Sequence, residues 1–375
     1  MFFTPRHVKE ARHCIEAARR ILRYRIDLLT REEYEQIDRK IEALVAATKT
    51  RDKAAIRAAI DELESVAGRI VPAKPHAGWR ENCEVLLVAI VIAAGVRAFI
   101  VEPFKIPTGS MQPTLNGIIA VDSDEPSPNP IVRAFDFVVR GRTFVNVIGK
   151  EDDVVVRLQE RSYLNYFTFT DVIGKRSRYT IFAPQAAVEN GFGIFPERNR
   201  YGRPPTRIKK GQPLARGWVD NGDFVLVNKM AYHFSPPKRA DVFVFRTTGI
   251  RDIELMIPEG LGSQHYIKRL AGVPGDTLRI DPPNLYIDGK IASEPAFQRV
   301  MSLKNGYEGY TNQGGRYLNT PSSTVTVPAG RYFALGDNSH NSLDSRSWGF
   351  VPEDNVTGKA FVVFWPFSKR WGFIE

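Results

Sequence analysis

Apolar residues recur at spacings of three and four through roughly the first seventy positions. Val8, Ala11, Ile15, Ala18, Leu22, Ile26 and Leu29 fall on one face of a helical period and predict an amphipathic helix. Thr30 followed by Glu33 has the form of a capping box, which opens a second helix with Ile37, Ile41 and Leu44 on its inner face. Ile56, Ile60, Leu63 and Ile70 mark a third. Residues 1–71 are therefore expected to form a small helical bundle. Residues 72–84, beginning with the proline- and glycine-bearing segment Pro72 to Gly78, read as a linker.

From Val85 to Val101 the pattern loses its polar face and reads VLLVAIVIAAGVRAFIV, broken only by Gly95 and Arg97. A bilayer core about 30 Å thick needs roughly 20 helical residues, with about 17 as the lower bound. Residues 85–101 meet that bound, and Arg97 lies close enough to one end to snorkel toward headgroups. A buried core helix is the competing reading. A cleaved leader is excluded by position, because the first thirty residues are charged throughout. Arg69, Lys74 and Arg80 precede the run and only Lys105 follows closely, so the positive-inside rule places the N-terminal region in the cytoplasm and the rest outside.

After Val101 the texture becomes that of short strands. Phe224 to Val227, Val242 to Phe245 and Val325 to Val327 are bounded by Gly, Pro, Asn and Asp. Ile287-Asp288-Gly289-Lys290 predicts a hairpin and Val273-Pro274-Gly275-Asp276 a type II turn, since both need positive φ. Without strand–helix alternation the region is expected to be mostly antiparallel β. Phe135 to Val139, Asp153 to Leu158 and Tyr163 to Thr170 also read as β runs, and Arg198 to Arg216 as a basic, proline-rich stretch.

Composition narrows the class. The 375 residues carry a net charge of +10, with 43% hydrophobic and 25% charged residues, which fits neither a disordered chain nor a polytopic membrane protein. Positive charge suits nucleic acid or an anionic membrane equally, but no helix-turn-helix or zinc-finger pattern is present. The two cysteines, Cys14 and Cys83, precede the expected outer region, which must be stable without disulfides. There is no Gly-x-Ser-x-Gly elbow, His-Glu-x-x-His or Walker loop, and neither a cofactor nor a metal is expected.

Three segments stand out for chemistry. Glu102 to Leu115 (EPFKIPTGSMQPTL) sets Ser110 after a glycine in a proline-flanked loop, open enough for a nucleophile, although taken alone an ordinary turn serine is the commoner reading. His265 to Asp276 (HYIKRLAGVPGD) places Lys268 on a strand, sharing a face with Tyr266. Gly336 to Pro352 (GDNSHNSLDSRSWGFVP) is rich in hydroxyl and charged side chains.

These blocks, in this order after an apolar span, resemble bacterial type I signal peptidase, a Ser/Lys endopeptidase family. Gly222 to Lys229 and Pro237 to Phe245 are similar to that family's β core, so the resemblance covers residues 85–121 and about 217–370. It implies an antiparallel β catalytic domain behind one transmembrane helix, in residues 102–121 and 217–375. It also implies that Ser110 is the nucleophile and Lys268 its base, a role that requires a neutral amine. The oxyanion would be held by the Ser110 backbone N–H and the Thr108 hydroxyl. Ser342 would position the lysine, and Asp344 and Arg346 would brace the loop, with Gly336 permitting close backbone packing. Phe104, Ile106, Pro107, Met111, Leu115, Tyr266 and Ile267 would line shallow pockets for small residues before the cut, although ordinary core packing is also open to them. The implied partners are exported preproteins, added as a strand beside residues 104–107 and the Lys268 strand, together with a phospholipid membrane; no nucleic acid is expected. The implied place is the bacterial inner membrane, single-pass, with the catalytic domain on the periplasmic face.

The chain departs from the family in two ways. Residues 122–216 separate Leu115 from Gly222 and are expected to form an inserted β-rich subdomain, and residues 1–71 precede the span. Two competing readings are a self-cleaving Ser/Lys repressor-type protease and a catalytically silent membrane adaptor.

Overall fold

The computed structural model describes residues 5–71, 77–163, 167–199, 202–255 and 264–374. These fall into two units, Met1–Val91 and Ile92–Glu375. The linker residues 72–76, Lys74 included, lie outside the described residues, as do Arg200 and Tyr201 of the basic stretch.

The first unit contains three helices, α1 (Arg6–Tyr24), α2 (Arg31–Thr50) and α3 (Lys53–Ile70). Val8, Ala11, Ile15, Ala18, Leu22, Ile37, Ile41, Leu44, Ile56 and Leu63 form its core, as the periodicity requires. The capping box is present in full: Thr30 Oγ1 accepts from Glu33 N at 3.3 Å and Thr30 N donates to the Glu33 carboxylate at 2.8 Å. The first stripe extends less far than expected. Helix α1 stops at Tyr24, and Ile26 lies exposed in the turn that follows.

Helix α4 (Ala77–Phe99) crosses the division between the units. Its stretch Asn82–Phe99 has mean hydropathy 1.9, none of it buried, and is long and apolar enough to cross a membrane. Two expectations shift here. Residues 77–84 are helical rather than linker, and Val101 opens a strand rather than closing the helix. Pro103 keeps the helix from continuing, since it disfavours helical backbone at Glu102, and Val101 pairs instead with Asn228.

Strand β1 (Val101–Lys105) leads into the turn carrying Ser110. Between that turn and residue 220 lie β2 (Ile119–Asp122), α5 (Pro130–Arg140), β3 (Arg142–Ile148), β4 (Asp153–Tyr163), β5 (Phe167–Gly174), β6 (Arg178–Ile181), α6 (Gln185–Phe192), β7 (Arg207–Ile208) and β8 (Pro213–Asp220). They make two small antiparallel sheets, β2-β8-β3 and β6-β5-β4-β7, around a hydrophobic cluster that runs from Ala120 to Val219.

Two runs read as β behave differently. Phe135 to Val139 lies within α5: the Asn129 side chain accepts from Val132 N at 2.9 Å, Pro130 opens the first turn, and Gly141 closes the last with φ 67°. The helix-boundary residues thus outweigh the β propensity of the run. Tyr163 to Thr170 spans the end of β4 and the start of β5, which pair antiparallel, with residues 164–166 outside the described residues.

The remaining strands are β9 (Phe224–Asn228), β10 (Val242–Arg246), β11 (His265–Gly272), β12 (Thr277–Asp281), β13 (Asn284–Ile287), β14 (Lys290–Ile291), β15 (Thr324–Thr326), β16 (Arg331–Leu335), β17 (Val351–Pro352), β18 (Val356–Trp365) and β19 (Gly372–Phe373). The main sheet runs β1-β9-β18-β10-β11-β16-β17, antiparallel throughout, with β19 on β18. A smaller antiparallel sheet, β14-β13-β12-β15, packs with α9 (Pro295–Met301) around Phe297 and Leu285. Both predicted turns form. Asp288 and Gly289 have φ 51° and 77° between β13 and β14, and Gly275 has φ 93° with Asp276 N donating to Val273 O.

Candidate active site

Ser110 lies in a single 3-10 turn, Gly109–Met111, held from two directions. Upstream, Ile106 N donates to Asp223 O, and a β-carbon on Gly222 would fall 1.8 Å from Ile106 O, so only glycine admits this crossing. Asp223 is buried, accepts from Asn116 N at 2.7 Å and pairs with Arg370 at 2.7 Å. Downstream, Asn338 N donates to Ser110 O at 3.1 Å and Asn338 Nδ2 to Gly109 O at 3.1 Å.

Lys268 sits on β11 opposite Phe243 of β10, with only 5% of its surface exposed. Its Nζ donates to Ser110 Oγ at 2.6 Å, and Ser110 is itself 6% exposed. Burial pushes the Lys268 amine down to about 8; the attraction of Asp344 and Asp337 opposes that shift, and Arg346 adds to it. The Tyr266 ring centroid lies 5.7 Å from Nζ. Desolvation lowers a lysine pKa because the charged form loses its water without full compensation. An amine so placed is a base for the hydroxyl it touches.

The neighbouring cation is buried too. Arg269 donates twice to Asp337, Nε at 2.8 Å and Nη2 at 2.7 Å, and its Nη1 donates to Ala240 O at 2.7 Å. The Thr114 hydroxyl donates to the same carboxylate. Consecutive Lys268 and Arg269 therefore serve opposite faces of β11, one toward the hydroxyl and one toward the loop after β16. Sequence reasoning assigned no role to Arg269, Asp337, Asn338 or Asp223. The signal available was only their presence within the Lys268, Gly336 and Gly222 blocks.

The other expected residues are placed as follows. Thr108 Oγ1 lies 3.5 Å from Ser110 Oγ. Asp344 and Arg346 form a fully buried pair at 2.8 Å, with Asp344 also accepting from Gly336 N and Arg346 donating to Thr311 O and Ser339 O. Ser342 lies in the same loop, but its buried Oγ has no hydrogen-bond partner, so the expected contact with Lys268 is not formed. Ile106, Met111 and Leu115 are closed off from solvent and pack with Val225, Val227 and Val244, supporting the site from below rather than lining an open surface. Phe104, Tyr266 and Ile267 are half-buried, and Pro107 is exposed.

Strand β1 is an edge of the main sheet, and residues 265–268 of β11 pair with β10 alone because β16 joins only from Arg269. The Phe104 and His265 rings lie 5.2 Å apart, so the two open edges approach one another beside Ser110. Among the described residues no group of three or more His, Cys, Asp or Glu side chains gathers to hold a metal ion.

The signal peptidase, peptidase S26, family model matches residues 79–162 and 216–365. The chain belongs to this family. It is 33% identical over 157 residues to signal peptidase I of Leptolyngbya laminosa, covering 40% of this chain and 64% of that one. It is 33% identical over 152 residues to signal peptidase IB of Staphylococcus aureus, covering 40% and 73%. A solved signal peptidase I from Enterococcus faecalis aligns at 32% identity over 33% of this chain and 97% of its own, with a TM-score of 0.24. The chain thus spans about two thirds of the length of these curated relatives. The match leaves residues 163–215 uncovered, a stretch that lies within 122–216.

Proposed function

We propose that this chain is a membrane-anchored serine endopeptidase that removes signal peptides from exported preproteins by a Ser110/Lys268 dyad. The reading rests above all on the 2.6 Å contact between Lys268 Nζ and Ser110 Oγ, made where both groups are shielded from water. Lys268 without its proton accepts the one on Ser110 Oγ as that oxygen attacks the scissile carbonyl. The resulting ammonium then donates to the leaving amine, and a water activated by the same amine releases the acyl group. The tetrahedral oxyanion is held by Ser110 N–H and the Thr108 hydroxyl. One such donor typically contributes about 3–4 kcal/mol to the transition state.

The preprotein enters as an extended strand between β1 and the open half of β11, with small residues facing Phe104, Tyr266 and Ile267. Helix α4 spans the bacterial inner membrane, with residues 1–71 on the cytoplasmic side and the domain formed by 102–121 and 217–375 outside. Arg69, Lys74 and Arg80 before the span support that orientation. The region 122–216 is a subdomain added to this core.

Incubating the purified full chain in detergent with a preprotein bearing an Ala-x-Ala site tests the assignment. Ser110→Ala and Lys268→Met should each abolish processing while leaving the protein membrane-bound. Wild-type cleavage by either variant removes the dyad.

A further inference from the structure

Helix α5 presents to solvent the face that a surface helix normally buries. Asp136 is its only buried residue. Ile131, Phe135 and Val138 are 81%, 59% and 57% exposed, and their spacing sets them on one stripe. This orientation is fixed by contacts. Trp365 Nε1 donates to Val138 O at 2.7 Å, Phe367 N donates to Val139 O at 2.9 Å, and the Phe137 and Trp365 rings lie 6.0 Å apart. Arg140 reaches back to Asp136 at 3.2 Å. The apolar stripe is therefore held outward by the end of β18 and the residues that follow it.

The exposed surface continues beyond the helix. Phe367 and Trp371, each more than half exposed, meet in a tilted contact with ring centroids 6.0 Å apart in the segment bonded to α5. Beneath lies a cavity of about 390 Å³ lined by Phe137, Phe167, Phe182 and Trp365 together with Lys105 and Arg97. Arg97 belongs to the last turn of α4. Phe137 of α5 and Arg97 of α4 thus line one cavity, which sets α5 near the end of α4, where a bilayer surface must lie if α4 spans. Contiguous exposed apolar patches mark interaction sites.

We propose that α5 is an interfacial helix, its Ile131–Phe135–Val138 stripe lying in the headgroup–acyl boundary of the phospholipid bilayer, flanked by Phe367 and Trp371. The proposal rests on the reading that α4 spans that bilayer. Phospholipid fits better than a protein partner. Aromatic and aliphatic side chains with arginines on the opposite face, here Arg133 and Arg140, characterise helices lying in the interface plane, and Trp and Phe suit that depth. Because β3 begins immediately after α5 and pairs with β8, a membrane-bound α5 would hold the inserted sheet, and through β2 the Ser110 turn, at a set height above the lipid.

Site-directed spin labelling tests this on the full chain with Cys14→Ser and Cys83→Ser. Nitroxides are attached at Ile131→Cys, Phe135→Cys, Val138→Cys, the exposed Lys209→Cys and, within α4, Ala93→Cys. Collisions with oxygen, which concentrates in lipid, and with a water-soluble nickel chelate are measured in phosphatidylcholine–phosphatidylglycerol vesicles. The three α5 labels should collide with oxygen and be shielded several-fold from nickel relative to the Lys209 label. Nickel collisions as frequent as those of the Lys209 label overturn the proposal, whatever the Ala93 label shows. Shielding from both reagents also overturns it, because protein then covers the stripe. The Ala93 label alone decides whether α4 spans, so the two readings fail separately.

Discussion

Gly336 faces the carbonyl oxygen of Ser110 so closely that a β-carbon at position 336 would lie 2.5 Å from it, and 2.1 Å from Ser342 Oγ. Two segments meet at that point: the Ser110 turn and the loop after β16, which carries both Gly336 and Ser342. The Ser110 backbone is set against a residue with no side chain because any side chain would displace it.

Gly336→Ala is therefore expected to push the Ser110 turn off Lys268. An overpacked contact costs about 1–3 kcal/mol, and the displacement acts directly on the Ser110–Lys268 distance. Processing of an Ala-x-Ala preprotein should fall at least tenfold, about what 1.4 kcal/mol on a barrier produces, while circular dichroism shows the fold retained. Turnover within threefold of wild type, a change of under about 1 kcal/mol, would show that the contact yields.

The pH profile carries a sign. In the proposed dyad Lys268 acts as base only when neutral, and burial lowers its pKa to about 8. With Lys268 as the single titrating base, kcat/KM should rise about tenfold per pH unit below that value and level off above it. The same shift bears on stability. The unfolded chain keeps this proton up to about 10.4, so between about 8 and 10.4 it binds more protons than the folded chain, and this group's contribution to stability rises with pH. A rate plateau already reached at neutral pH would place the amine's pKa lower.

Ser342→Ala removes a buried hydroxyl that has no partner in the free protein. Deleting an unsatisfied polar atom costs little folding free energy, so the melting temperature should hold or rise slightly. If Ser342 meets Lys268 only when substrate is bound, the rate should still fall, but less than for Ser110→Ala. A drop in rate with no loss of stability is the diagnostic pair. Unchanged turnover would remove the supporting role.

Asp337→Ala leaves Arg269 as a buried cation without its carboxylate, a change that typically costs about 3–5 kcal/mol. Denaturant unfolding should show that loss. Activity should decline with it, because Asp337 also pulls on the Lys268 proton and accepts from Thr114 beside the Ser110 turn. Native-like stability would mean that water or another acceptor replaces the carboxylate.

Much of the chain was legible before any fold was known. The helical stripes, the capping box, the apolar run and both glycine turns depend on neighbours a few residues away, and each appears near its expected position. Ser110, Lys268, Asp344 and Arg346 stand out in the sequence because contiguous blocks carry the family pattern, and the fold brings Ser110 to Lys268 and Asp344 to Arg346. The misread run Phe135 to Val139 shows where local reading gave way: its β-rich composition argued for a strand, while Asn129, Pro130 and Gly141 at its ends made a helix.

What the tertiary structure alone decided is long-range. A lysine followed by an arginine is normally solvated, and nothing nearby in sequence says otherwise. Only the tertiary fold buries both: Arg269, between β10 and β16, is sent toward Asp337, while Lys268, paired with β10 alone, is sent toward a serine 158 residues away. The lowered lysine pKa, the unpartnered Ser342 hydroxyl and the outward face of α5 likewise arise from which surfaces meet. The sequence thus determined which residues are available for chemistry and where the turns fall. The fold determined their charge state and separation, because desolvation and distance depend on segments far apart along the chain.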